Sequence, residues 1–340
     1  MSALLGHFYT LGPFLKYGLR PPRAPASTPF ELAVPDAQYG IVPLRGRLSS
    51  AGRRSCIVAI HGLGGDAESA YVVAFARAAW ERGHDVLRLG MRGSDGLGDD
   101  VYHAGLASDL GAVCASPALA SYAELRLVGF SLGGHLALHA ALANSDARLR
   151  AVAAVGAPLD LALGQLAIDA ARRWPYRRHV LRGLCAMAGR LAERGRLPSP
   201  LAAVKRARTL RDWDRLVVAK RFGFDGPEAY YASESVGPRL PKLAVPTIYV
   251  GAEHDPMVPA STVQPALARA SSSLDVRWLR RAGHIGFASE VDLGERGERG
   301  FEPQLLSWLE RAGLKRTSAD SMKTGKARSR GCAFTRRLMK

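Results

Sequence analysis

Residues 125–143 read LRLVGFSLGGHLALHAALA, and this stretch restricts the fold more tightly than anything else in the chain. A Leu- and Val-rich run passes without a spacer into Gly129-Phe130-Ser131-Leu132-Gly133, and that into an Ala/Leu-rich helical pattern. A strand joined to a helix by so abrupt a turn needs room on both sides of its central residue. Glycine supplies the room, because a Cβ at either flank would meet the neighbouring elements. The helix that follows then aims its N-terminal N–H groups, and the positive end of its dipole, at Ser131.

The same grammar recurs along the chain. Short apolar strands are expected at Cys56–Ile60, Asp85–Leu89, Leu125–Phe130, Ala151–Val155, Val245–Val250 and Val276–Leu279. Helical patterns fall at Ala67–Arg82, Gly105–Cys114, Leu132–Ala143 and Phe301–Ala312. Strand and helix alternating at this spacing build parallel βαβ units, so the expected class is α/β, a mostly parallel central sheet with helices on both faces. Ligands of such sheets bind beyond the carboxyl ends of the strands. With 340 residues and 47% apolar composition the chain can bury one sizeable core. We assign residues 31–314 to one catalytic domain. Residues 158–239 interrupt the alternation with helical patterns alone and read as a helical cap inserted between core strands. Residues 1–30 form an N-terminal segment: 3–19 suit a short amphipathic helix, and the Pro-rich 20–29 a linker. Residues 315–340 read as a basic, disordered tail.

The formal net charge is +17, from 47 basic and 30 acidic residues. The tail carries nine basic residues and one acidic, hence +8 of that total. Such a tail is expected to be solvated, with weak Coulomb contact to an anionic membrane as its functional option. Basic and aromatic residues do not interleave, so no specific nucleic-acid partner is expected. The four cysteines, Cys56, Cys114, Cys185 and Cys332, form no C-x-x-C pair and suit a reduced compartment. The N-terminus lacks the basic n-region of a signal peptide, and no run of 18 apolar residues is present. The expected location is cytoplasmic, at most peripheral to the membrane. No metal site is expected: the histidines show no HExxH spacing, and His135 and His139, four apart on one helix, are expected to find ordinary hydrogen-bond partners. Oligomeric state stays open.

The G-x-S-x-G pattern between strand and helix is a nucleophile elbow, with Ser131 as the nucleophile. A hydroxyl needs a base, and in this fold the chain order is Ser, acid, His. Asp255 follows the Val245–Val250 strand in a Gly-Ala-Glu-His-Asp-Pro turn and is the expected acid. Glu253 is its rival, set aside because the Asp-Pro turn stiffens the loop that holds Asp255. His284 lies among glycines after the last expected strand and is the expected base; His254 and His61 are the bland alternatives, turn residues bonded to backbone. An oxyanion hole needs two backbone donors, expected from the N–H groups of Leu132 and Leu63.

These residues resemble those of the YheT-like α/β-hydrolases (AB hydrolase family 4). The likeness runs through His61-Gly62-Leu63-Gly64-Gly65 with Ser69 and Tyr71, Arg92-Gly93-Ser94, Tyr102-His103-Ala104-Gly105, Val128–Gly134, the stretch Thr209–Asp214, Phe222-Gly223-Phe224, Tyr230-Tyr231, Asp255-Pro256-Met257 and Gly283–Phe287, with a fainter echo at Gly6–Thr10. The resemblance implies an α/β-hydrolase fold, hydrolysis of short-chain esters or acylglycerols, and no cofactor. His135 stands where the family more often has Asn, and Ala282 where it often has Gly. Acyl transfer to an alcohol on the same triad is the alternative chemistry, and a non-catalytic binding protein of the same fold the alternative class. Dehalogenases and epoxide hydrolases are disfavoured because they carry Asp at the elbow.

Overall fold

A computed structural model describes residues 2–314. The tail 315–340 and Cys332, on which expectations were placed, lie outside the described residues. Eight strands form one sheet: β1 (Thr28–Asp36), β2 (Gly40–Ser49), β3 (Ser55–Ile60), β4 (Asp85–Leu89), β5 (Glu124–Phe130), β6 (Leu149–Val155), β7 (Thr247–Ala252) and β8 (Leu274–Leu279). Their order is β1-β2-β4-β3-β5-β6-β7-β8. β1 and β2 are an antiparallel hairpin, β2 runs antiparallel to β4, and every other pairing is parallel.

Alternate side chains of a strand point to opposite faces, and the central strands are apolar throughout because both faces are covered. On β3, Cys56, Val58 and Ile60 enter one core, while Ile57 and Ala59 enter the other. The first core holds Leu110 and Val113 of α3 (Ala107–Cys114) and Leu136 of α4 (Leu132–Ala143). The second holds Val72, Phe75 and Ala76 of α2 (Ala70–Glu81) and Leu305, Leu306 and Leu309 of a closing helix over 301–314.

The hairpin β1–β2 was not expected. Phe30, Leu32 and Val34 do alternate, and Phe30 and Val34 are buried with Val42 and Leu44, but Pro29, Pro35 and Pro43 obscure the strand signal. Each proline is tolerated for a structural reason: β1 is the sheet edge, and β4 pairs with β2 only along 46–49, beyond Pro43. The assigned linker is thus shorter than 20–29, since β1 begins at Thr28.

No strand occurs between β6 and β7. That segment holds α5 (Leu161–Asp169), α6 (Trp174–Glu193), α7 (Leu201–Lys205), α8 (Leu210–Trp213), a π-helical turn Asp214–Val218, α9 (Ala219–Phe222) and α10 (Gly226–Glu234). α11 (Ala260–Leu267) follows β7. A buried ion cluster fastens this insertion to the sheet. Arg92, after β4, bonds Asp36, Asp100 and Asp109; Arg221, in α9, bonds Asp36 and Asp100. Three carboxylates thus share two guanidiniums, whose fork geometry satisfies several oxygens at once. At the N-terminus, α1 (Ser2–Leu19) carries Pro13 and lies against the loop after β8. A Cβ on Gly283 would run into Gly6 and Thr10, and one on Gly286 into the Tyr9 carbonyl, so the two segments approach as closely as only glycine allows.

Candidate active site

Ser131 stands at the carboxyl end of β5, directly before α4, with φ 53° and ψ −119°. A side chain other than glycine rarely occupies such a conformation, and the strain persists because the surroundings fix it. The flanking glycines are compulsory: a Cβ on Gly129 would strike the Gly133 carbonyl, and one on Gly133 the His61 carbonyl. The turn leaves the Ser131 hydroxyl at the positive end of a 12-residue helix.

Two loops complete the arrangement. Asp255 lies in the turn after β7 and His284 in the turn after β8. The His284 Nε2 is 3.0 Å from Ser131 Oγ, and its Nδ1 is 2.9 Å from Asp255 Oδ2. The other carboxylate oxygen of Asp255 accepts from the Met257 and Val258 N–H groups at 2.7 and 2.9 Å. One oxygen is therefore anchored to backbone while the other addresses the imidazole. Asp255 and His284 are both buried, which strengthens the contact between them. Glu253 instead faces Arg280 at 3.6 Å and is remote from this chain of bonds.

His61 bonds backbone on both sides. Its Nδ1 is 2.8 Å from the Gly62 carbonyl, and its Nε2 accepts from the Met91 N–H at 3.0 Å. That fixes the Nδ1–H tautomer. Burial lowers its pKa to about 4, so the ring is neutral at pH 7.

The loop after β3 is tied down by two phenols. Tyr71 Oη accepts from the Gly62 N–H at 2.8 Å, and Tyr102 Oη accepts from the Gly64 N–H at 2.7 Å. Between them, the Leu63 N–H has no acceptor among the described residues, nor has the Leu132 N–H. Both residues and Ser131 line one cavity of about 900 Å³, together with His284, Ile168 and Trp213. Its volume sits at the upper end of the roughly 300–1,000 Å³ usual for ligand pockets.

Four lining or supporting residues lie in stretches that carry the resemblance, but the sequence assigns them no role. Thr10 of α1 accepts the His284 backbone N–H at 2.8 Å and donates to the Gly6 carbonyl at 2.7 Å, so α1 buttresses the His284 loop. Tyr71 and Tyr102 act on the loop as described. Asp214, in the π-helical turn, faces the cavity and accepts from Tyr231 Oη at 2.6 Å. Burial raises its pKa to about 7. No local motif marks these residues as a set, since each acts on a segment distant in sequence; an isolated π turn is, however, a common sign of function.

His135 and His139 face backbone carbonyls. His135 lies 2.7 Å from the Pro158 carbonyl and 2.9 Å from that of Glu234, and His139 lies 2.7 Å from the same Glu234 carbonyl. Among the described residues no group of three or more His, Cys, Asp or Glu side chains could hold a metal ion. Cys56 and Cys114 are buried and free, and Cys185 is free and partly buried. Burial pushes the Cys114 thiol up to about 12, which leaves it unreactive.

A mostly parallel sheet with a serine at its strand-to-helix elbow, facing an imidazole and a carboxylate from the next two strand ends, defines a hydrolase of the α/β type. A family model described as alpha/beta hydrolase fold matches residues 56–291, well over half of the chain, and the chain belongs to that family. It is 29% identical over 296 residues to "Putative esterase YheT" of Escherichia coli (strain K12), covering 83% of this chain and 85% of that protein. It is 25% identical over 300 residues to "Putative esterase slr0264" of Synechocystis, covering 77% and 79%. Among solved structures, the alpha/beta hydrolase GrgF from Penicillium superposes with a TM-score of 0.54 at 17% identity, covering 84% of this chain and 99% of that one; at that identity the likeness speaks for the fold.

Among the described residues no helix is long and apolar enough to cross a membrane.

Proposed function

We propose that this protein hydrolyses carboxylic esters through an acyl-enzyme on Ser131. The observation that carries the reading is the unbroken chain Ser131 Oγ–His284 Nε2 at 3.0 Å and His284 Nδ1–Asp255 Oδ2 at 2.9 Å, at the wall of a cavity large enough for an acyl chain. The esterase names of its relatives agree with it.

The Ser131 oxygen attacks the ester carbonyl carbon while His284 Nε2 takes the hydroxyl proton. Asp255 holds the ring in the tautomer that presents Nε2 to the serine, and its charge stabilises the imidazolium. The carbonyl oxygen becomes an oxyanion, which the N–H groups of Leu63 and Leu132 receive. The tetrahedral adduct collapses by breaking the bond to the alcohol, and the alcohol leaves with the proton from His284. Water then attacks the acyl-Ser131 ester, gives its proton to His284, and the acid departs as Ser131 recovers that proton.

A panel of p-nitrophenyl esters of increasing chain length tests the reading. The wild type is expected to turn over members of the panel and Ser131→Ala to lose that turnover at every length. Equal turnover by Ser131→Ala would sink the assignment.

A further inference from the structure

The outer face of α1 is apolar and uncovered. Leu4, Phe8, Leu11, Leu15 and Leu19 recur at steps of three and four residues, which places them on one side of the helix, and they are 49–85% exposed. An exposed apolar stripe of this length on a soluble surface calls for an occupant. The adjoining face of the same helix lines the cavity, through His7, Thr10 and Tyr17. Across the cavity mouth, His7 Nδ1 meets Tyr176 Oη of α6 at 2.6 Å. In the insertion, α5 and α6 show two more large apolar side chains, Leu166 at 64% and Trp174 at 54% exposed.

The exposed charge beside these groups is mostly basic, although Glu302 lies near Lys16. α1 contains no acidic residue. Lys16, Arg20, Arg23, Arg178 and Arg182 are exposed. Among the described residues the four arginines have no carboxylate within salt-bridge distance, whereas many arginines elsewhere are paired, Arg45, Arg82, Arg92 and Arg221 among them. Apolar side chains bordered by unpaired cations match an anionic lipid surface, whose acyl region takes the former and whose headgroups take the latter. The chain's own 315–340, with nine basic residues to one acidic, is repelled by such a border. A second copy would bring like charge against like.

We propose that the outer stripe of α1, with Leu166 and Trp174, docks the protein on an anionic lipid bilayer and seats the mouth of the Ser131 cavity on the membrane. Docking is read by vesicle partition without turnover, so its failure and that of the ester-hydrolysis reading are separately visible. Because α1 also touches the His284 loop through Thr10, lipid contact and the positioning of the base share one helix.

The test is co-sedimentation of the full chain with vesicles of phosphatidylcholine alone or mixed with phosphatidylglycerol. The wild type is expected to partition onto the mixed vesicles and to be released by salt, since surface attraction between exposed charges is screened. Leu4→Ser/Phe8→Ser/Leu15→Ser is expected to lower the partition by about tenfold or more, with an unchanged melting temperature. Leu166→Ser/Trp174→Ser, on a different element, is expected to lower it as well, which separates docking from any misfolding of α1. A chain ending at residue 314 is expected to keep most of the binding. Absence of wild-type binding, binding unaffected by both apolar variants, or binding lost only with residues 315–340 would each overturn the proposal. So would a dimer in sedimentation velocity that the α1 variant dissolves while vesicle binding stays the same, because the stripe would then be covered by a second copy.

Discussion

Asp255 and Glu253 are two residues apart in one loop, yet only one of them reaches His284. The difference is backbone anchoring: the Met257 and Val258 N–H groups hold one Asp255 oxygen and so aim the other. Asp255→Asn is expected to leave the fold intact and lower kcat by roughly 10³–10⁴, because an amide favours the wrong imidazole tautomer, while Glu253→Gln keeps near-wild-type rates. Stopped-flow or steady-state assay on a soluble ester decides between them, and the reverse pattern would move the acid to Glu253. Thr10 acts at one remove, on the His284 backbone. Thr10→Val keeps the shape of the side chain but strands that N–H. It is expected to lower kcat by about tenfold with little change in KM, as for loss of an interaction that matters mainly in the transition state, and Thr10→Ser is expected to restore the rate. A change confined to KM would make Thr10 a substrate contact instead.

At the scale of elements, the sequence disclosed what is local and hid what is relational. The central strands and the elbow were legible because each is a continuous signal: CIVAI and LRLVGF are apolar on both faces, and the glycines of the elbow are demanded by contacts within a few residues. The β1–β2 hairpin was missed because its three prolines are acceptable only at an edge that the sequence does not announce. The buttress of α1 on the His284 loop spans 274 residues, and no periodicity encodes such a meeting. The junction of α4 with the insertion is another relational feature, and it carries a pH dependence. His139 and His103 are buried there among His135, Glu234, Arg92, Arg221 and Arg239. Burial first, then the neighbouring cationic and imidazole groups, lowers both pKa values to about 3. Unfolded, each ring titrates near 6.5. The unfolded chain therefore binds protons that the folded one refuses, so stability is full above about pH 6.5 and falls as pH drops from there toward 3. At pH 5 the loss is about 2 kcal/mol per imidazole, from about 1.5 pH units at 1.36 kcal/mol each. The melting temperature is expected to fall by several degrees between pH 7 and pH 5, and less so in His103→Gln/His139→Gln. Equal pH slopes in the variant and the wild type would show that these rings are not the cause.

At the scale of the whole molecule, four segments that are separate in the chain meet at one rim of the sheet: the elbow after β5, the turns after β7 and β8, and the loop after β3. The parallel sheet puts all of them at strand carboxyl ends, and the insertion with α1 closes a cavity over them. That the convergence makes Ser131 nucleophilic is the claim on which the functional reading turns. Reaction of the whole protein with a fluorophosphonate, followed by proteolysis and mass mapping of the adduct, asks it directly. The account predicts one phosphonylated residue, Ser131, with labelling lost in Ser131→Ala and strongly slowed in Asp255→Asn. An adduct on another serine, or labelling that survives in Ser131→Ala at the wild-type rate, would contradict it.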